Sequence, residues 1–251
     1  MNAHVQPSTY ASAIQQMVTS ISNHRAINNK FYRLWMKTKL NPRQLEIFAD
    51  NYYHRIEPTV SRIARAFVAT DDVVSRAVFV RNLSDELGGG DPEGAHILIL
   101  KRWLDSLLTK QANHPFENTG LETSILPTTR RLTEESLKLC SGPAPCANGA
   151  ILAQEWHAYT QLVNLYEGFR NYMDSYTLEE FHDLSEYFYI HIGSAEKEHM
   201  QQSVITAARA CKSDADLAML KDGYGQFLDL VADFWDGLYD AVQAEAAPLH
   251  S

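Results

Sequence analysis

The chain has 251 residues, enough to bury a sizeable core, and its 45% hydrophobic and 21% charged residues are the balance of a soluble globular protein. A formal net charge of −9 argues against nucleic acid or an anionic membrane surface as partner, since both call for a basic face. Three cysteines in no C-x-x-C pattern, no signal-peptide pattern and no apolar run approaching ~20 residues predict a cytoplasmic protein with free buried thiols.

The hydrophobic period is helical almost throughout. Ser8 to Ser22 and Ala26 to Thr38 read as the first two helices. A long third segment, Leu40 to Thr70, opens at Asn41-Pro42 and repeats Leu45, Phe48, Tyr52, Ile56, Val60, Ile63 and Phe67 at helical spacing. Asp71 to Leu87 is a fourth helix, stopped by Gly88-Gly89-Gly90, and Asp91-Pro92 opens a fifth through Ile97, Leu100, Leu104 and Leu107. A short helix is expected near Thr133 to Leu139 and a long one from Ala144 to Tyr172. Thr177 and Glu180 form a capping box for a helix expected to run to about Cys211, and Asp214 to Ala246 is the last. With no hairpin signal, repeat or linker, the expectation is one all-α domain over residues 1–251, a bundle of about eight helices.

Helical bundles build metal sites from inward Glu and His side chains, and Glu-x-x-His puts both ligands on one helix face. The chain carries two such pairs, Glu93 with His96 and Glu196 with His199. Hard carboxylates with imidazoles and no thiolate suit iron or manganese. His191 lies among apolar residues in EYFYIHI; on an ideal helix it stands roughly 80° from His199, and Glu196 swings further round. A π-bulge at Gly193-Ser194 would bring the three together. Glu57 precedes Pro58 in mid-segment, where a kink could aim an inward carboxylate. Glu155 falls in register with the core side of its helix, and His157, two residues on, is expected to face away from it. Glu86 ends its helix against an unfavourable dipole and needs a positive neighbour if it is not exposed.

These segments resemble the haem-oxygenase-like diiron oxidases and oxygenases, whose fold is shared with haem oxygenases, thiaminase-like TenA proteins and pyrroloquinoline quinone synthase. The likeness runs from about His24 to His199 through NHRAINNKFYRLWMKTKLNPRQLEIFADNYYHRIEP, NLSDELGGGDPEGAH, ILAQEWHAYTQLVNLYEGF and YFYIHIGSAEKEHM. It implies a haem-oxygenase-like bundle with Glu57, Glu86, His96, Glu155, His191, Glu196 and His199 as metal ligands, preferring Glu86 to Glu93 as the partner of His96. The fourth-segment carboxylate departs from the commoner family pattern: it is Glu rather than Asp and comes one residue later after the histidine.

The resemblance implies two ferrous ions with O2 as co-substrate, manganese being the alternative metal, and an oxidation of a small molecule, an amino acid or a derivative in specialised metabolism. The outcomes known for such enzymes include N-oxygenation, desaturation and C–C cleavage. Arg55, Arg62 and Arg81 are candidates to hold a substrate carboxylate, with Tyr159 as a further lining residue. An external electron donor and a homodimer are compatible with the sequence. Three rivals differ in kind: a haem protein with His24 as axial ligand, a cofactor-free TenA-like hydrolase with a cysteine nucleophile, and a non-catalytic helical interaction protein.

Overall fold

A computed structural model describes residues 10–117 and 124–245, with the side chains of residues 194–197 outside the description. Among the described residues there are twelve α-helices, three short 3-10 turns and no strand. The helices are α1 Ala11–Thr19, α2 Lys30–Trp35, α3 Pro42–Ile56, α4 Thr59–Ala69, α5 Val73–Glu86, α6 His96–Ala112, α7 Pro127–Cys140, α8 Ala144–Phe169, α9 Leu178–Leu184, α10 Glu186–Ile192, α11 Ser194–Ala210 and α12 Asp214–Ala244. No helix among them is long and apolar enough to cross a membrane.

Three breaks inside expected long helices turn the nine helical segments read from the sequence into twelve. Leu40 to Thr70 divides at Glu57-Pro58, because proline has no N–H to give the preceding turn. The segment after Thr177 divides twice. At Ser185 the hydroxyl returns to the Phe181 carbonyl and the backbone N–H reaches both Phe181 and His182, which tightens the turn and ends α9. At Gly193 the backbone is extended (φ −70°, ψ −171°), so α10 and α11 are separate helices. The expected π-bulge is replaced by a full break.

The long helix α8 lies at the centre, packed against α12, α11, α10, α7 and α4. Its contact with α12 is unusually close. A Cβ at Gly149 would lie 2.1 Å from the Leu220 carbonyl oxygen, and one at Gly223 would lie 2.3 Å from that of Cys146. The two glycines face each other's helix and let the backbones meet. In the core an aromatic layer runs through Trp235, Phe31, Trp35, Phe48, Tyr52, Trp103 and Tyr187, each ring stacked on the next except for the edge-on Tyr52–Trp103 pair. Trp35 is tied into it by an Nε1–H bond to the Leu165 carbonyl, 2.8 Å.

The turn between α5 and α6 positions the next feature. Gly88, Gly89 and Gly90 all have positive φ (89°, 63° and 107°), which only glycine adopts freely in succession. The chain reverses there within a few residues. The end of α5 and the start of α6, ten residues apart in sequence, are thereby brought side by side.

Candidate metal centre

Glu86 is the last residue of α5 and His96 the first of α6, and the glycine turn sets Glu86 Oε2 3.3 Å from His96 Nδ1. His191 on α10 joins them, its ring 4.6 Å from that of His96. One ligand atom from each of Glu86, His96 and His191 lies within 4.8 Å of the other two, close enough to share one metal ion. Burial pushes the Glu86 carboxyl up, but the His96 hydrogen bond and the neighbouring His191 and His199 hold it below the ordinary value. These histidines are the electrostatic and hydrogen-bonding partners that offset the unfavourable helix dipole at Glu86.

His191 is oriented by its own helix. Its Nδ1 lies 2.6 Å from the Tyr187 carbonyl, which can only accept, so the proton sits on Nδ1 and the lone pair on Nε2. That is the tautomer a metal-binding imidazole uses when its other nitrogen is anchored to a carbonyl. The Tyr187 ring packs beside it at 5.1 Å, and the Tyr187 hydroxyl bonds that of Tyr52 at 2.8 Å.

A second pairing lies next to the first. Asp85, the neighbour of Glu86 on α5, accepts from His199 Nε2 on α11 at 3.1 Å. The end of α5 therefore presents consecutive carboxylates to histidines from three other helices. Asp85 was not singled out from the sequence; its only signal was adjacency to Glu86 in NLSDELGGG. Glu196 shares α11 with His199, but its side chain lies outside the described residues.

Glu155 on α8 is buried and lines a cavity of about 60 Å³ together with Glu86 and His191. Its Oε1 accepts from Asn82 Nδ2 (3.3 Å) and, at 3.5 Å, from Gln154 Nε2. The same cavity is lined by Arg55, Arg62, His157, Gln161 and Tyr187. His157 was expected to face away from Glu155, yet both reach the cavity. The Gln154–Ala158–Gln161 ridge points into it, and Glu155 and His157 flank that ridge, about 160° apart around the shorter arc.

Other candidates lie elsewhere. Glu57 is exposed at the end of α3 and does not line the cavity, because the helical register it still follows places it opposite the buried face of α3. Glu93 is exposed in the 3-10 turn before α6, so it is Glu86 that meets His96. Arg81 pairs with Glu198 at the surface, 3.0 Å, and Tyr159 is half-buried on α8 away from the cavity lining. His24 is occupied on both sides: Nδ1 accepts from the Ala26 N–H at 3.2 Å and Nε2 faces Asp229 at 3.5 Å. None of the three cysteines lines the cavity, and burial pushes the Cys140 thiol up to about 12, far from a ready nucleophile.

The donor chemistry, carboxylate and imidazole without thiolate, fits iron. Comparison with known proteins agrees. A family described as iron-containing redox enzymes matches residues 46–231. The chain belongs to that family. It is 25% identical over 240 residues to the 4-chloro-allylglycine synthase of Streptantibioticus cattleyicolor, covering 90% of this chain and 82% of that protein. It is 28% identical over 126 residues to the 4-aminobenzoate synthase of Chlamydia pneumoniae, covering 49% of this chain and 54% of that one. A Shewanella denitrificans domain of unknown function with a haem-oxygenase-like fold superposes with a TM-score of 0.67 at 16% identity, over 99% of this chain and 98% of that one. The architecture is thus haem-oxygenase-like and all-α, and the protein is an iron-containing oxidoreductase by family.

Proposed function

We propose that this oxidoreductase is a non-haem diiron enzyme that uses O2 to oxidise a small amino-acid-derived substrate. The observation that carries the reading is the convergence of Glu86, His96 and His191 from three helices, with a second carboxylate–histidine pair, Asp85 and His199, beside them. Glu86, His96 and His191 would hold one ion. His199, with Asp85, Glu155 and Glu196 as the available carboxylates, would hold the second. Bound iron would supply the O2 affinity and the one-electron steps that no side chain here can supply. Manganese would suit the same hard donors.

The chain's own residues supply position and shelter. Tyr187 fixes the His191 tautomer through its carbonyl and closes one side of the site with its ring. Gln161 Nε2 donates to the Tyr52 hydroxyl at 3.2 Å, and that hydroxyl bonds Tyr187, so a continuous hydrogen-bonded chain holds the wall of the cavity still. Leu132, Leu162 and Phe227 line it with apolar surface and limit water.

The amino-acid part of the reading draws support from the relative named for making a chlorinated allylglycine. The test is O2 uptake by iron-loaded protein over a panel of free amino acids. Uptake accelerated by at least one amino acid, with an oxidised product by mass spectrometry, is the expected result. Iron-loaded protein whose O2 uptake no amino acid alters would count against that substrate class.

A further inference from the structure

The cavity beside the candidate metal centre contains two arginines whose charges the protein does not pair. Arg55 and Arg62 are each only 3% exposed. Arg62 gives its donors to neutral acceptors: Nε to Gln154 Oε1 (2.7 Å), Nη2 to Thr59 Oγ1 (2.9 Å) and Nη1 to the Arg55 carbonyl (3.3 Å). Arg55 gives Nη2 to His157 Nε2 at 2.6 Å. His157 donates Nδ1–H to the Ala153 carbonyl at 2.9 Å, which leaves Nε2 as an acceptor and the ring neutral. Among the described residues, none of these hydrogen bonds reaches a carboxylate.

Arg55 is also incomplete. Its Nη1 is buried without a hydrogen-bond partner. Its guanidinium carbon lies 5.1 Å from the Phe234 ring centre and 5.2 Å from that of Trp235, so aromatic faces soften the burial of the charge but accept no N–H in its plane. An unmet donor on a buried cation is costly, and a guanidinium is shaped to give parallel hydrogen bonds to a carboxylate. Burial lowers the Arg62 pKa to about 10, which leaves it charged at neutral pH.

We propose that Arg55, backed by Arg62, forms an anion-binding subsite that takes a carboxylate of the substrate in the cavity shared with Glu86 and His191. The inference deepens the oxidase reading and rests on it for the cavity's role as substrate chamber. His157 is a positioning residue: it holds one edge of the Arg55 guanidinium and carries no charge of its own to compete for the anion. The subsite explains how a carboxylate substrate would be chosen over its amide or ester, and it places that group on protein donors rather than leaving it to the metal.

The test uses the full chain without metal, titrated in chloride-free buffer with sodium acetate and, separately, with acetamide as a neutral probe of the same shape. Thermal unfolding reads the binding. The expected result is a saturable rise in unfolding temperature with acetate and none with acetamide. In Arg55→Gln the apparent acetate affinity should fall by about tenfold or more, while Fe(II) binds with unchanged stoichiometry. Equal responses to the two probes, or an acetate response that survives Arg55→Gln, would overturn the proposal. The acetate arm holds no metal and the Fe(II) arm no carboxylate, so failure of iron binding and failure of anion binding are read separately. If Arg55→Gln does not fold, the wild-type pair of probes still decides, and Arg62→Gln, expected to weaken acetate as well, serves as the second variant.

Discussion

Glu86 sits where a carboxylate should be unwelcome, at the negative end of α5 and half-buried, and three histidines make the position tenable. Replacing it by glutamine keeps the shape and removes the charge. Glu86→Gln should lower Fe(II) affinity by at least about tenfold with the helical circular dichroism unchanged, measured by anaerobic titration. Tyr52 is a different case, buried and bonded to Tyr187 and Gln161. Tyr52→Phe should cost about 1–2 kcal/mol in urea denaturation, because it leaves two buried polar groups short of a partner. Side-chain direction was the part of the site least legible in the sequence. Periodicity put Glu155 on the core side, where it is, and His157 away from it, about 160° round the helix, but did not show that this far side is buried as well. The reading assumed a single buried face, whereas α8 is enclosed on most of its circumference. Glu57 erred for a sharper reason: it keeps the helical register of α3, its N–H still bonding the Tyr53 carbonyl, and that register carries the side chain to the side opposite the buried face.

At the scale of elements, the joints between helices carry the geometry. The α8–α12 contact depends on glycine, and Gly149→Ala would drive a methyl into the Leu220 carbonyl. A loss of about 1–3 kcal/mol is expected from thermal or urea unfolding. A second joint ties the two ligand helices α5 and α11. Asp72 caps α5 by accepting from the Ser75 N–H at 2.8 Å, and it takes two bonds from Arg209 near the end of α11, 2.7 and 2.6 Å. The Arg209 guanidinium, helped by the Ser75 bonds, holds the Asp72 carboxyl well below the usual carboxylate range. A depressed pKa in the folded state stabilises above the unfolded value, near about 3.9, and the contribution is lost as pH falls below it. The stability difference between wild type and Asp72→Asn should therefore be fully present at pH 6 and shrink steadily on acidification below about pH 4, read from urea midpoints. A difference that stays constant over that range would refute the clamp. Helix starts marked by a local cap were legible, Asn41-Pro42 for α3 and Thr177 with Glu180 for α9, whereas α7 begins at Pro127, ahead of the expected Thr133, and Asp91-Pro92 opens only a 3-10 turn before α6. The break at Ser185 was not, since no glycine or proline marks it and a hydroxyl bonding back to its own helix is a common, usually harmless event.

For the whole molecule, the helical period told which faces are apolar but not which helices meet. Candidate ligands on α5, α6, α8, α10 and α11 converge only because these helices, distant in sequence, pack against one another. The order of the segments, matched to a known family, supplied what spacing could not. A centre drawn from so many helices links metal binding to global stability. Fe(II) at about 100 times its dissociation constant should raise the unfolding free energy by about 2.7 kcal/mol, and a chelator should reverse the rise. The most direct test of the account is anaerobic equilibrium dialysis of the metal-free chain against Fe(II), beside His191→Ala and, as a control away from the cavity, His24→Ala. The account predicts about two irons per chain in wild type and in His24→Ala, and a clear loss in His191→Ala. A well-folded wild type that binds no iron, or a His191→Ala variant that binds it as well as wild type, would contradict it.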